Sequence, residues 1–142
     1  MRSPTILLVE DDYLDVTSVQ RALKKLNIPH TLHIAHNGVE ALAVLTGNTP
    51  GQEKILPDII LLDINMPKMN GIEFLRIIKN YYTLNNIKIF ITTTSAEEYD
   101  KLAAQQLGVS GYILKPLEFS ESAAEPKGDN YKLLQALQSF AA

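Results

Sequence analysis

The sequence predicts an α/β fold, (βα)5 in pattern, in which a doubly wound parallel sheet has helices on both faces. Short apolar runs alternate along the chain with segments of helical periodicity. Charged side chains directly follow three of those apolar runs. The carboxyl ends of parallel strands form the edge at which such folds bind ligands, so the charged residues predict a functional site there.

Five segments are predicted to be strands because they are short, apolar and rich in β-branched residues. Pro57 introduces the third of them, and turn-forming residues separate the strands from the helical segments. The predicted strands are Thr5 to Val9, Thr31 to Ala35, Asp58 to Leu62, Ile87 to Thr92 and Gly111 to Leu114.

Amphipathic helices are predicted between and after these strands. Asn37 with Glu40 has the pattern of a capping box and is predicted to open the second helix. Gly108 is predicted to end the fourth helix as its C-cap, and Asp129 to cap the last helix. The predicted helices are Leu14 to Leu26, a segment through Val39, Leu42 and Leu45, Ile72 to about Tyr82, Ala96 to Leu107, and Asn130 to Phe140.

The chain has 142 residues, of which 46% are hydrophobic and 20% are charged, as is usual for a soluble globular protein. This length fits one domain over 1–142, with a flexible N-terminus over 1–4 and an extended loop over 117–129 before the last helix. The segment Gly47 to Lys54 is predicted to be a polar loop. No output domain is expected.

The charge balance and the absence of cysteine exclude several classes of function. A net charge of −3 gives no electrostatic footprint for DNA or for an anionic membrane. The chain has no cysteine, which excludes disulfides, thiolate metal sites and a cysteine nucleophile. The apolar runs are too short to cross a bilayer, and the polar start of the chain does not resemble a signal peptide. We therefore expect a cytoplasmic protein.

Acidic residues and a lysine stand at three predicted strand ends. Glu10, Asp11 and Asp12 follow the first strand, Asp63 follows the third and Lys115 follows the fifth. Two carboxylates about 4 Å apart repel by roughly 4 kcal/mol at an effective dielectric constant near 20, so a proton or a cation has to lie between them. Carboxylate oxygens favour Mg²⁺. A solvated acidic surface is the alternative, and the neighbouring acid and lysine make it the weaker interpretation.

These charges predict a metal-assisted site for phosphoryl transfer. A cation beside Asp63 would let that carboxylate attack a phosphorus atom that already bears anionic oxygens, and Lys115 would supply a positive charge to one of them. The Lys115–Pro116 bond is a candidate for a cis peptide. The hydroxyls of Thr92, Thr93 and the residues after them could bond a phosphoryl oxygen, although strand-end capping explains any one of them equally well.

The motifs ILLVEDD, DIILLDINMPKMNG, the hydroxyl-rich end of the fourth strand and GYILKP occur in that order. Together they resemble a response-regulator receiver domain, the phosphorylated half of two-component signalling, over Ile6 to Phe140. The resemblance implies a flavodoxin-like sheet with strand order 2-1-3-4-5. It also implies a single-domain response regulator that accepts a phosphoryl group from a histidine kinase or a phosphotransfer protein and signals to a downstream protein, with a homodimer as one possible form.

The resemblance also assigns roles around Asp63, which matches the phosphoacceptor. Asp11 matches the acid that binds the metal directly, with Glu10 as its partner. Asn65 would offer its backbone carbonyl to the metal, which would be Mg²⁺ or alternatively Mn²⁺. Lys115 matches the family's lysine.

Three further residues match the conformational switch of the family. Thr93 resembles the switch hydroxyl, Thr94 the residue whose backbone N–H contacts the phosphoryl group, and Tyr112 the aromatic side chain that swings inward. Thr92 takes a position that the family usually fills with an apolar residue. Asp12 is expected to cap the first helix. The long loop before the third strand and the Thr-Thr-Ser run are similar to those of stand-alone receivers that partner bacterial phytochrome kinases.

Other interpretations use the same features. A hydrolase of the aspartyl-phosphate type needs a second Asp two residues after the nucleophile, where this chain has Asn65. A flavin-binding protein of similar fold needs a phosphate loop after the first strand, where Glu10 and its acidic neighbours would repel phosphate. A receiver-like module that binds partners without phosphorylation stays open. Surface positions are predicted for His30, His33 and His36, whose spacing does not favour a shared metal.

Overall fold

The computed structural model of the chain describes residues 3–48, 50–51, 53–66, 69–81, 86–94, 103–119 and 129–141. Residues 103–106 are helical. The other elements are β1 (Thr5–Val9), α1 (Tyr13–Lys25), β2 (Thr31–Ala35), α2 (Gly38–Thr46), β3 (Ile59–Asp63), α3 (Gly71–Lys79), β4 (Lys88–Thr93), β5 (Gly111–Leu114) and the C-terminal helix (Asn130–Ala141).

The five strands form one parallel sheet in the order β2-β1-β3-β4-β5. The predicted α/β fold and its strand order are therefore confirmed. Val9 pairs with Leu62, and Asp63 pairs with Thr92. The carboxyl ends of β1, β3 and β4 consequently lie side by side at one edge of the sheet.

The core has one layer on each face of the sheet, because successive side chains of a strand point to opposite faces. Leu61 packs toward α1 and the C-terminal helix, whereas Leu62 packs toward α2 and α3. Both side chains are fully buried, as they are along most of β1 and β3. Burial on both faces explains why these strands are continuous apolar runs in the sequence.

Side chains cap the first two helices. The Asp12 carboxylate caps α1, as expected, by accepting hydrogen bonds from the backbone N–H groups of Leu14 and Asp15. Asn37 accepts a 2.8 Å bond from the backbone N–H of Glu40 and so caps α2. The Glu40 carboxylate lies 3.1 Å from Nδ1 of His36, so only the Asn37 half of the predicted capping box is present among the described contacts.

A complete capping box, which was not predicted, forms at the start of α3. The Asn70 side chain accepts from the backbone N–H of Glu73, and the Glu73 side chain accepts from the backbone N–H of Asn70. The pattern of an Asn followed three residues later by Glu was visible in the sequence and would have found it.

Several boundaries differ from the predicted ones. β3 and β4 each begin and end one residue later than predicted. The helix α3 ends at Lys79 instead of near Tyr82, which lies outside the described residues. Helix ends fray, and such differences are small. Of the predicted fourth helix, 96–102 lies outside the described residues, but Gly108 has the left-handed φ of +77° expected of a C-cap.

Part of the predicted extended loop over 117–129 is described, namely 117–119 and 129. Asp129, the predicted cap, directly precedes the C-terminal helix, and its backbone carbonyl accepts hydrogen bonds from the N–H groups of Lys132 and Leu133. Its carboxylate accepts a 2.8 Å hydrogen bond from the backbone N–H of Tyr112, and its own N–H donates to the Tyr112 carbonyl at 3.0 Å. Asp129 thus ties the start of the last helix to β5.

Candidate functional site

Three carboxylates meet at the carboxyl edge of the sheet. Glu10, Asp11 and Asp63 each offer an oxygen, and these oxygens all lie within 4.8 Å of one another. Glu10 is 1% exposed and Asp63 is 4% exposed, whereas Asp11 is exposed to solvent. The cluster is therefore buried on the side of the sheet and open on the side of Asp11.

The backbone after β3 fixes the Asp63 carboxylate. The backbone N–H of Asn65 donates a 3.1 Å hydrogen bond to Oδ1 of Asp63. Gly71, the first residue of α3, donates its N–H to the carbonyl of Ile64 at 2.9 Å. A Cβ atom at Gly71 would lie 2.8 Å from the Asp63 carbonyl oxygen and 2.8 Å from Cα of Ile64, which is too close. Only glycine lets α3 begin this close to the acid.

Lys115 brings a positive charge to the three acids. Its backbone N–H donates to the carbonyl of Thr93 at 2.8 Å, and its bond to Pro116 is a cis peptide. Its Nζ lies 2.5 Å from Oε1 of Glu10 and 3.5 Å from Oδ2 of Asp63. The side chain is 11% exposed. The structure therefore joins the predicted acids and the predicted lysine in one buried cluster.

Asp15 is a fourth acid of this cluster, and the sequence analysis missed it. Its Oδ2 lies 2.8 Å from Nζ of Lys115, and its side chain is 33% exposed. Asp15 follows the Asp12 cap in the first turn of α1. The position three residues after Asp12, on the helix that follows the first strand, was the available signal, because one helical turn brings such a residue back toward the sheet edge.

Burial and mutual contact shift two pKa values in this cluster. Burial, followed by a hydrogen bond to Asp63, raises the pKa of Glu10 to about 7. Burial acts to lower the pKa of Lys115, but its hydrogen bonds to Asp15 and Glu10 outweigh that effect and raise the pKa above its ordinary value. Lys115 is therefore charged, and Glu10 binds a proton more readily than an ordinary glutamate does.

The hydroxyls at the end of β4 lie on two different faces. Thr92 and Thr93 are 2% and 1% exposed, and adjacent strand residues point to opposite faces. Among the described residues the Thr92 Oγ1 has no hydrogen-bond partner, and Thr92 borders a cavity of about 10 Å³ together with Asp15 and Lys115. Thr94 is exposed, and Ser95 lies outside the described residues.

Tyr112 is already buried in this structure, at 6% exposure. It belongs to the same apolar cluster as Ile89, Ile91 and Ala104, on the face toward which Thr93 points by strand alternation. The hydrogen bonds between Tyr112 and the Asp129 backbone and carboxylate hold its own backbone in place.

The donor set fits a hard divalent cation. Three carboxylates within 4.8 Å repel one another unless a proton or a cation compensates them. Burial above all, and then the contact with Asp63, raises the pKa of Glu10, so this carboxylate also favours a compensating proton or cation. Oxygen donors of this kind suit Mg²⁺ or Mn²⁺. Among the described residues no histidine joins this group, and His36 instead contacts Glu40.

Comparison with known proteins identifies the family. Residues 6–125 match the response regulator receiver domain. The chain is 36% identical to the response regulator Rcp1 of Synechocystis sp. over 135 residues, which cover 95% of this chain and 86% of Rcp1. A two-component response regulator from Legionella pneumophila is 39% identical, with a TM-score of 0.81 over 96% of this chain and 99% of that one.

Two further structures are similar in both fold and sequence. The Mn²⁺-bound form of Rcp1 has a TM-score of 0.75 and 36% identity, over 97% of this chain and 94% of that one. The phosphorylated cyanobacterial phytochrome response regulator RcpA has a TM-score of 0.75 and 33% identity, over 97% and 91% of the two chains. The expected resemblance to phytochrome response regulators is thus confirmed.

The chain therefore belongs to the response regulator receiver domain family of two-component signalling. As a member of that family it is a phosphoacceptor signalling protein and not a conventional enzyme, and it works in partnership with a histidine kinase. In the part of the chain that the structure describes, no helix is both long enough and apolar enough to cross a membrane.

Proposed function

We propose that this protein is a single-domain response regulator that accepts a phosphoryl group on Asp63 from the phosphohistidine of a histidine kinase or a phosphotransfer protein. One observation supports this most strongly. Asp63 lies at the end of β3 with its carboxylate beside two further acids and 3.5 Å from the ammonium group of Lys115. A carboxylate, a cation site and a positive charge at one point are what phosphoryl transfer needs.

In the proposed step an oxygen of Asp63 attacks phosphorus, the bond from phosphorus to the histidine nitrogen breaks, and an acyl phosphate forms. The Asp63 Oδ1 accepts a hydrogen bond from Asn65, and Oδ2 faces Lys115, so the carboxylate is oriented before it reacts. Lys115 supplies a positive group, 3.5 Å from Oδ2 of Asp63, for the anionic oxygens that arrive. No second Asp follows at position 65 to act as a general acid, which disfavours a hydrolase.

A divalent cation belongs to this proposal, and the three carboxylates fit one. Asp11 and Asp63 would hold Mg²⁺, or alternatively Mn²⁺. Glu10 would assist as the partner of Asp11, and the backbone carbonyl of Asn65 would be a further ligand. When bound, the cation neutralises the carboxylates and the phosphoryl oxygens. The Mn²⁺-bound form of the similar protein Rcp1 supports the assignment of this edge as a metal site.

The proposed response to phosphorylation uses Thr93, Thr94 and Tyr112. Thr93 would move toward the phosphoryl group, the backbone N–H of Thr94 would contact it, and Tyr112 would adjust within its cluster. Such a change is a population shift between two states. The altered surface would then bind a downstream protein, in the cytoplasm and without contacting DNA or a membrane directly. A homodimer is compatible with this role.

The test is incubation with Mg²⁺ and acetyl phosphate, followed by measurement of intact mass. We expect one added phosphoryl group, which is lost when a chelator is present and in Asp63→Asn. The matched control is Asp12→Asn, which removes an acid at the same edge but keeps a residue that can cap α1. Labelling that persists in Asp63→Asn would contradict the assignment, and an unlabelled wild-type protein would favour a module that binds partners without phosphorylation.

A further inference from the structure

The contact between Asp15 and Lys115 lies outside the roles that the family resemblance assigns. Oδ2 of Asp15 is 2.8 Å from Nζ of Lys115, whereas Oδ2 of Asp63 is 3.5 Å from the same nitrogen. The helix residue therefore holds the ammonium group more closely than the proposed phosphoacceptor does. The hydrogen bonds that the structure gives this nitrogen go to Glu10 and Asp15.

A phosphoryl group on Asp63 would change the competition for this nitrogen. The acyl phosphate carries up to about two negative charges and three phosphoryl oxygens in place of the single charge of the Asp63 carboxylate, which lies 3.5 Å from the ammonium group. The ammonium group of lysine is a point charge on a mobile stem, and it turns toward the strongest acceptor within reach. Lys115 should then loosen its contact with one of its two carboxylate partners.

Burial decides which carboxylate can release the lysine. Glu10 is 1% exposed, so an ionised Glu10 without its partner would be a buried and uncompensated charge. Asp15 is 33% exposed, so water can solvate it when the ammonium group moves away. Asp15 also lies in the first turn of α1, where the helix dipole favours a negative charge.

We propose that Asp15 is a positioning residue that holds the ammonium group of Lys115 while Asp63 is unphosphorylated and releases it to the phosphoryl group. This inference rests on the proposed function of Asp63. A contact that exists only in the unphosphorylated form stabilises that form, so Asp15 opposes phosphorylation. Removing its charge should favour the phosphorylated state.

The variant that tests this is Asp15→Asn, measured in the presence of Mg²⁺. Two measurements apply: the affinity for beryllium fluoride, a mimic of the phosphoryl group, by titration calorimetry, and the initial rate of labelling by acetyl phosphate. We expect both to increase by roughly two- to fivefold, which is the scale of a partly exposed ion pair. Asp15→Glu restores a carboxylate and should return both values toward the wild type.

Asp12→Asn is the matched control, because it removes one negative charge from the same helix start while Asn keeps the cap. Equal changes in Asp12→Asn and Asp15→Asn would show a general effect of charge and would overturn the role of Asp15. Unchanged or weaker values in Asp15→Asn would overturn it as well. If the wild-type protein is not labelled at all, the proposed function itself fails. If the wild-type protein is labelled and Asp15→Asn has the same affinity and labelling rate, only the role of Asp15 is refuted.

Discussion

Glu10 holds its carboxylate at 1% exposure beside two other acids, and burial together with the hydrogen bond to Asp63 raises its pKa from 4.5 to about 7. A raised pKa means that the folded, metal-free protein binds this proton more tightly than the unfolded chain does. The stabilising contribution of the proton is therefore fully present below about pH 4.5 and is lost as the pH rises toward 7. A cation has to displace the same proton.

We accordingly expect the affinity for Mg²⁺ to rise with pH up to about 7 and then to level off. Below that point the gain should approach about tenfold per pH unit, since one proton is released for each ion bound. Calorimetric titration with Mg²⁺ at several pH values measures this slope. Glu10→Gln is the control, because it keeps the size but cannot ionise, and a slope that is equally steep in Glu10→Gln would contradict the assignment.

Thr92 differs from Glu10, because no contact with the described residues compensates the burial of its polar hydroxyl group. The residue is 2% exposed, and its Oγ1 has no hydrogen-bond partner in the part of the chain that the structure describes. We expect Thr92→Val to raise the free energy of unfolding by about 1 kcal/mol, since an unpaired buried hydroxyl costs about 1–3 kcal/mol. Urea denaturation of the metal-free protein measures the change. Thr93→Val, on the other face of β4, is the comparison, and an equal gain there would show that the effect is not specific to the unpaired hydroxyl.

At the scale of elements, the turn from β3 into α3 determines where the Asp63 carboxylate stands. α3 begins at Gly71 directly against the Asp63 carbonyl, and the capping box of Asn70 and Glu73 fixes that start. The chain has a similar start at α2, where Gly38 follows the cap residue Asn37. There the three atoms nearest to an added Cβ atom belong to the side chain of Met69, at 3.0 to 3.1 Å.

This pair of glycines permits a controlled test. We expect Gly71→Ala to destabilise the fold by about 1–3 kcal/mol, because the added methyl group pushes on backbone that cannot move aside. It should also weaken Mg²⁺ binding by displacing Asp63. Gly38→Ala should have a smaller effect on stability and should leave Mg²⁺ binding unchanged, because the flexible Met69 side chain can shift. Thermal or urea unfolding and Mg²⁺ titration measure both, and a smaller loss in Gly71→Ala than in Gly38→Ala would contradict the explanation.

The elements themselves were predictable to within a few residues, since β1 and β3 are continuous apolar runs and Asp12 and Asn37 have clear capping patterns. Glu10, Asp63 and Lys115 could be placed together because the ends of neighbouring parallel strands meet at one edge. The spacing from Asp12 indicated only that Asp15 lies near this edge, because its contact with Lys115 depends on how α1 docks on the sheet. The unpaired hydroxyl of Thr92 likewise depends on packing that no local pattern encodes.

At the scale of the whole molecule, the site joins distant parts of the chain, so ligand binding and folding are linked. The three carboxylates that could hold a cation lie at the ends of β1 and β3, and the unfolded chain does not hold them together. A ligand that binds only the folded state stabilises it by mass action, by about 2.7 kcal/mol at a hundred times its dissociation constant.

We therefore expect the melting temperature to rise with the concentration of Mg²⁺, and the rise to be much smaller in Asp11→Asn. Differential scanning calorimetry measures it, and Asp12→Asn again serves as the control because it removes charge without removing a proposed ligand. A rise in Asp11→Asn equal to that of the wild type would show that the ion acts elsewhere on the protein.

The pairing of Asp63 with Thr92 and of Val9 with Leu62 has one more consequence. If β3 slipped by a single residue against β1, every side chain of β3 would exchange faces, and the Asp63 carboxylate would turn away from Glu10 and Lys115. The same slip would leave Leu61 and Leu62 buried, because both faces of this strand are apolar. Apolar burial alone therefore discriminates only weakly between the two alignments of β3, and the charged cluster at the end of the strand adds a second distinction between them.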